Sequence, residues 1–143
     1  MRGIPTVCRP GPIYPPMLIT VTSVENATAK AVIEFSCRYG SGRGIWSEGV
    51  PQPGREYHVE LELDQSLRFG VDTEEARDKA PRIENSESHT VLVTRLEDLS
   101  IDGTATLRLG DSLILAEFEG DFPAVGTWVE VSIPRIELHD MRL

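Results

Sequence analysis

Polar and apolar residues alternate with a period of two through most of the chain from Met17 onward, the mark of strands with one buried face. Ile19 and Val21 lead the first run. Ala31, Ile33, Phe35 and Cys37 then alternate with Lys30, Glu34, Ser36 and Arg38. The cleanest run sets Tyr57, Val59, Leu61 and Leu63 against Glu56, His58, Glu60 and Glu62, and a short run follows at Leu67, Phe69 and Val71. The pattern returns at Val91 and Val93, at Ala105–Leu109, at Ile114–Phe118 and at Val129–Ile133. Eight to ten mostly antiparallel strands are expected, closing into a small barrel or sandwich.

Two stretches break the rhythm. Residues 1–16 hold Pro5, Pro10, Pro12, Pro15 and Pro16, so a regular helix or central strand is excluded there and an extended arm is expected. Asp72 with Glu75 three residues on has the form of a capping box, and Thr73–Ala80 favours helix until Pro81. One short helix is therefore predicted within an acidic linker over residues 72–88. It joins a first β segment, 17–71, to a second, 89–143, and 17–143 is read as one compact unit.

The two segments resemble each other. A gapless offset of 72 pairs Val21 with Val93, Thr22 with Thr94, Glu25 with Glu97, Pro51 with Pro123, Gly54 with Gly126 and Val59 with Val131. It also keeps the inward phase, setting Phe35 on Leu107 and Trp46 on Phe118. The repeated P-x-x-G turns predict positive φ at Gly54 and Gly126, just before the strands that start near Tyr57 and Val129. An internal duplication is the reading adopted. In the second half, a long strand, a hairpin, P-x-x-G and a valine-rich strand follow in an order that resembles an oligonucleotide/oligosaccharide-binding barrel. That resemblance concerns fold alone.

Charge narrows the function. The 143 residues hold 23 acids and 14 Lys or Arg, a formal charge of −9. Residues 1–71 balance at seven bases and seven acids, so the excess lies wholly in residues 72–143. Such a balance opposes nucleic acid and anionic membrane surfaces, because affinity for phosphate comes from cationic side chains. Nothing resembles a signal peptide, and a cytoplasmic protein with reduced thiols is expected. Cys8 and Cys37 have neither zinc-site nor redox-pair spacing, and a Cys8–Cys37 bridge is expected only for an exported chain.

Candidate chemistry is sparse. Gly40-Ser41-Gly42-Arg43-Gly44 fits neither a phosphate-binding loop nor a nucleophile elbow, and reads as a flexible hairpin tip in which Gly42→Ala costs less than a change at Gly54 or Gly126. Glu117, Glu119 and Asp121, spaced i, i+2, i+4, would share one face of a strand. His58, His89 and His139 show no ligand spacing. No metal or cofactor is expected. Tyr39, Arg43, Trp46, Glu117, Glu119, Asp121 and Trp128 are the candidate ligand- or partner-binding residues. The leading reading is a non-catalytic binding module that engages another protein or a second copy of itself, as an inhibitor or accessory subunit. A barrel binding a small ligand near Trp46 and Trp128 is the first alternative. A hydrolase using dispersed carboxylates and a histidine is the second.

Overall fold

The computed structural model describes residues 16–26 and 30–142. The expected arm, apart from Pro16, and Cys8 lie outside them. The described residues form eleven strands: β1 (Met17–Asn26), β2 (Ala31–Cys37), β3 (Gly40–Trp46), β4 (Glu56–Leu67), β5 (Thr73–Glu75), β6 (Arg82–Ser86), β7 (His89–Leu99), β8 (Thr104–Leu109), β9 (Ser112–Phe118), β10 (Trp128–Ile133) and β11 (Ile136–Asp140). No helix among them is long and apolar enough to cross a membrane.

Eight strands close a circuit, β1-β2-β3-β6-β7-β8-β9-β4 and back to β1, so the fold is a closed all-β barrel with additional strands. The step from β3 to β6 is one bridge between Gly40 and Ile83. β11 lies between β3 and β4, parallel to the first and antiparallel to the second. β10 pairs with β7, and β5 pairs with β10. Most of the alternating apolar positions point inward, and Phe35, Trp46, Leu61, Leu107, Ile114 and Leu138 belong to one buried cluster. Two pairs do not: on β7 it is Leu92 and Leu96 that join the cluster, which leaves Val91 and Val93 on the other face, and Phe69 and Val71 are exposed. Removal of this much apolar surface from water is the main force holding the strands together.

The two halves are built alike. β1-β2-β3 with β4 on the far edge of β1 is matched by β7-β8-β9 with β10 on the far edge of β7. Each first strand carries a register break at the same place, between Val21 and Ser23 and between Leu96 and Asp98. The P-x-x-G turns agree bond for bond. Gly54 N–H donates to the Val21 carbonyl (2.7 Å) and Gly126 N–H to the Leu96 carbonyl (2.8 Å). Val21 N–H in turn donates to Arg55 (3.0 Å) and Leu96 N–H to Thr127 (2.8 Å). Both glycines have positive φ, 86° and 96°.

The gapless offset needs correction, however. From β2 through β4 the halves superpose at 72, but Val21 corresponds to Leu96, an offset of 75. Beyond its bulge the first hairpin is three residues longer than the second. The apparent identities Val21/Val93, Thr22/Thr94 and Glu25/Glu97 are thus out of register, and burial agrees: Thr22 is exposed while Thr94 is buried.

The fourth strands are exchanged. The start of β4 pairs with β1 of its own half, and its later part runs parallel to β9 of the other half. Likewise β10 pairs with β7, and β11 beyond it runs parallel to β3. Pro134, which has no N–H for a ladder, separates β10 from β11, whereas β4 is continuous. β4 and β11 then pair antiparallel across a pseudo-twofold axis.

Two further expectations are overturned. Residues 72–88 hold no helix: Asp72 Oδ1 accepts the Arg68 N–H (2.8 Å) and so caps a turn, after which β5 pairs with β10 and β6 with β7. A two-turn helix is marginal alone, and ladder bonds plus burial of Thr73 and Ile83 outweigh it. Gly40–Gly44 is no loop tip either but the body of β3. Gly42 faces Phe35 and Ile83, where an added Cβ would lie 2.6 Å from the Phe35 ring and 2.7 Å from Ile83 Cδ1. A Cβ on Gly44 would meet the Ile136 carbonyl and Leu138. Glycine is there because neighbouring groups occupy the space.

Candidate functional sites

The seven candidate residues are not gathered into one place. Trp46 is buried edge-on against Tyr57, with ring centroids 4.9 Å apart, so it packs the interior and offers no ligand platform. Arg43 projects from β3 to Glu25 at 3.6 Å. Trp128 is half-buried at the start of β10, opposite Arg95.

Tyr39 sits at the turn between β2 and β3 and meets the corresponding turn between β8 and β9. Its hydroxyl accepts the Asp111 N–H at 3.0 Å, and Arg38 Nη1 lies 3.2 Å from Asp111 Oδ2. Gly110 leaves room for the tyrosine, since a Cβ would fall on its phenol. Beside this junction is a surface cavity of about 440 Å³, lined by residues including Met17, Cys37, Tyr39, Glu56 and Asp111. Burial pushes the Cys37 thiol up from its ordinary value, against the opposing effect of hydrogen bonds from Tyr39 and Gly40, which makes it a poor nucleophile.

The acidic row forms only in part. β9 ends at Phe118 and Gly120 has φ 81°, so Glu117 remains on the strand while Glu119 and Asp121 lie in the following loop. That loop is tied to the segment after β4. Glu119 N–H donates to the Leu67 carbonyl (2.9 Å), and the Arg68 guanidinium pairs with the Glu119 carboxylate. Each of the two tied segments carries exposed apolar side chains, Phe69 and Val71 after Arg68 and Phe122 and Val125 after Glu119; Phe122 is 50% and Val71 78% accessible. Sequence reasoning missed these four: Phe69 and Val71 fitted a strand pattern, and Phe122 followed a row read only for its charge.

A third constellation lies on the outer face of β4 and β11. Glu62 and Glu137 are directly opposed in the ladder, and His139 is two residues beyond Glu137. His139 Nε2 is 3.0 Å from Glu62 Oε1 and 3.1 Å from Glu137 Oε1, and all three side chains are half-buried. None of them lines the 440 Å³ cavity or the 230 Å³ cavity around Arg82. In the sequence the only local trace was Glu137-x-His139; Glu62 comes from 77 residues away.

Comparison with protein-family models, with curated proteins and with solved structures finds no match to this chain.

Proposed function

We propose that this chain is a non-catalytic binding module that engages another protein through the joined loops of Phe69, Val71, Phe122 and Val125. The observation that carries the reading is that two segments tied together at Leu67, Arg68 and Glu119 each hold large apolar side chains out in solvent, and that Glu117, Glu119 and Asp121 lie on the chain leading to Phe122. Interfaces of modest size use such an arrangement, with aromatic anchors supplying affinity and rim charges supplying orientation and on-rate. The complementary partner surface is apolar with a lysine- or arginine-rich border. The acid excess of the second half favours encounter with such a surface at long range.

The test is affinity capture with the full chain, compared with a Phe69→Asp/Phe122→Asp double variant and with Val50→Asp, the exposed position of the first half that corresponds to Phe122. The same partner should be retained by the parent and by Val50→Asp and lost with the double variant, and its binding should weaken with salt. A partner held equally by all three, or none at any salt, contradicts the reading. Sedimentation of the parent alone separates a foreign partner from a second copy of the chain.

A small-ligand reading draws support from one observation, the cavity beside Cys37 and Tyr39. Neither tryptophan is among the residues that line it.

A further inference from the structure

We infer that Glu62, Glu137 and His139 form a binding site for a divalent transition-metal ion of the Zn²⁺ class, clamping the two halves of the barrel together. Three observations carry this. First, the donor spacing suits an ion. Ligands about 2.0–2.2 Å from a metal are themselves separated by roughly 3.0–3.5 Å, and His139 Nε2 stands 3.0 and 3.1 Å from its two carboxylate oxygens. Second, Glu62 and Glu137 face each other directly across an antiparallel ladder, where like charges are destabilising, and Glu60 opposes His139 on the same face. Among the described residues no Lys or Arg forms an ion pair with any of these three acids, whereas Glu97, Asp111 and Glu119 each have an arginine. Third, one imidazole nitrogen has a single proton to share between two carboxylates, and a dipositive ion at the same point satisfies all three groups.

One nitrogen and two carboxylate donors fit Zn²⁺ or a neighbouring first-row ion better than Ca²⁺ or Mg²⁺, which take oxygen-only shells. Three protein ligands leave at least one position for water. Because Glu62 belongs to β4 and the other two ligands to β11, the ion would bridge the strand pair on the pseudo-twofold axis. This site is separate from the apolar loops proposed for partner binding, and its failure leaves that reading intact.

The experiment is calorimetric titration of the chelator-treated full chain with ZnCl₂, paired with thermal unfolding with and without the metal. One ion per chain is expected, together with a higher midpoint in its presence, since a ligand of the folded state stabilises it by mass action. Glu62→Gln keeps side-chain shape, and it and His139→Gln should each weaken binding by about tenfold or more, while His89→Gln, at an exposed site on β7, should leave it unchanged. Binding that survives both Glu62→Gln and His139→Gln places the metal elsewhere and overturns the proposal, as does the absence of any heat or midpoint shift at millimolar ZnCl₂.

Discussion

The two halves fill the same interior with differently divided volume. In the first, Phe35 on β2 stands opposite Gly42 on β3; in the second, Leu107 on β8 stands opposite Ile114 on β9. Two residues on, Gly44 has Ala116 as its counterpart. One half places a large ring against no side chain, the other two medium side chains against each other. β3 is also approached by Ile83, Ile136 and Leu138, which occupy the space its own side chains would need. The lesson is that a repeated fold conserves total packing and register, while the choice of residue at each position follows local neighbours.

This comparison orders the glycine substitutions. Of Gly42, Gly44, Gly54 and Gly126, Gly44→Ala is expected to be the most damaging, because its Cβ would strike the Ile136 carbonyl, a backbone group that cannot rotate away. A cost of about 3 kcal/mol or more follows, against a total stability of about 5–15 kcal/mol. Gly42→Ala comes next at about 2 kcal/mol, and Phe35→Leu should recover part of that loss by restoring the volume division of the second half. Gly54→Ala and Gly126→Ala should cost about 1–2 kcal/mol each, through positive φ rather than collision: a Cβ at Gly54 has no neighbour within 4 Å, and at Gly126 only Arg95 at 3.6 Å. Denaturant titration at constant m-value gives the series. An order with Gly42→Ala mildest would restore the loop-tip reading of residues 40–44.

A smaller effect separates the halves by charge. On the outer face of the second half, Arg95 and Arg108 are opposed and Glu97 lies between them at 3.6 and 3.0 Å; the first half has Thr20, Ser36 and Thr22 at these positions. The hydrogen bond from Arg108 holds the Glu97 carboxyl below its usual value. A depressed carboxyl stabilises the fold above its unfolded-state pKa, and that contribution disappears as pH falls through the folded-state pKa. Glu97→Gln should therefore cost roughly 0.5 kcal/mol at pH 7, a small figure suited to a half-buried pair still screened by solvent, and nothing in strong acid. An equal difference at both pH values would assign the effect to packing.

The legible part of this molecule was its periodicity. Period-two alternation placed β1, β2, β4 and β7–β10, because one face of each strand is buried. The P-x-x-G turns were legible for a different reason: proline and glycine fix backbone angles locally, whatever surrounds them. β3 was hidden because its inward positions are glycines whose role depends on the Phe35 ring across the hairpin and on Ile83 and Ile136, both distant in sequence. β5 and β6 were hidden because a locally adequate helix signal lost to pairing with β10 and β7. The candidate sites were the least legible of all. Glu62 and His139 meet only through the exchanged strands, and the segments bearing the exposed apolar residues are joined through Leu67, Arg68 and Glu119.

The central claim is that the halves are one unit repeated with a shifted first hairpin and exchanged fourth strands. Its most direct test is a set of long-range contacts in a backbone-assigned NMR spectrum of the full chain. The account predicts hydrogen-bond couplings from the Gly54 amide to the Val21 carbonyl and from the Gly126 amide to the Leu96 carbonyl, with cross-strand contacts linking Gly44 to Ile136 and Leu67 to Phe118. Coupling of Gly126 to Val93, as a gapless repeat would require, or parallel contacts confined within each half, would contradict it.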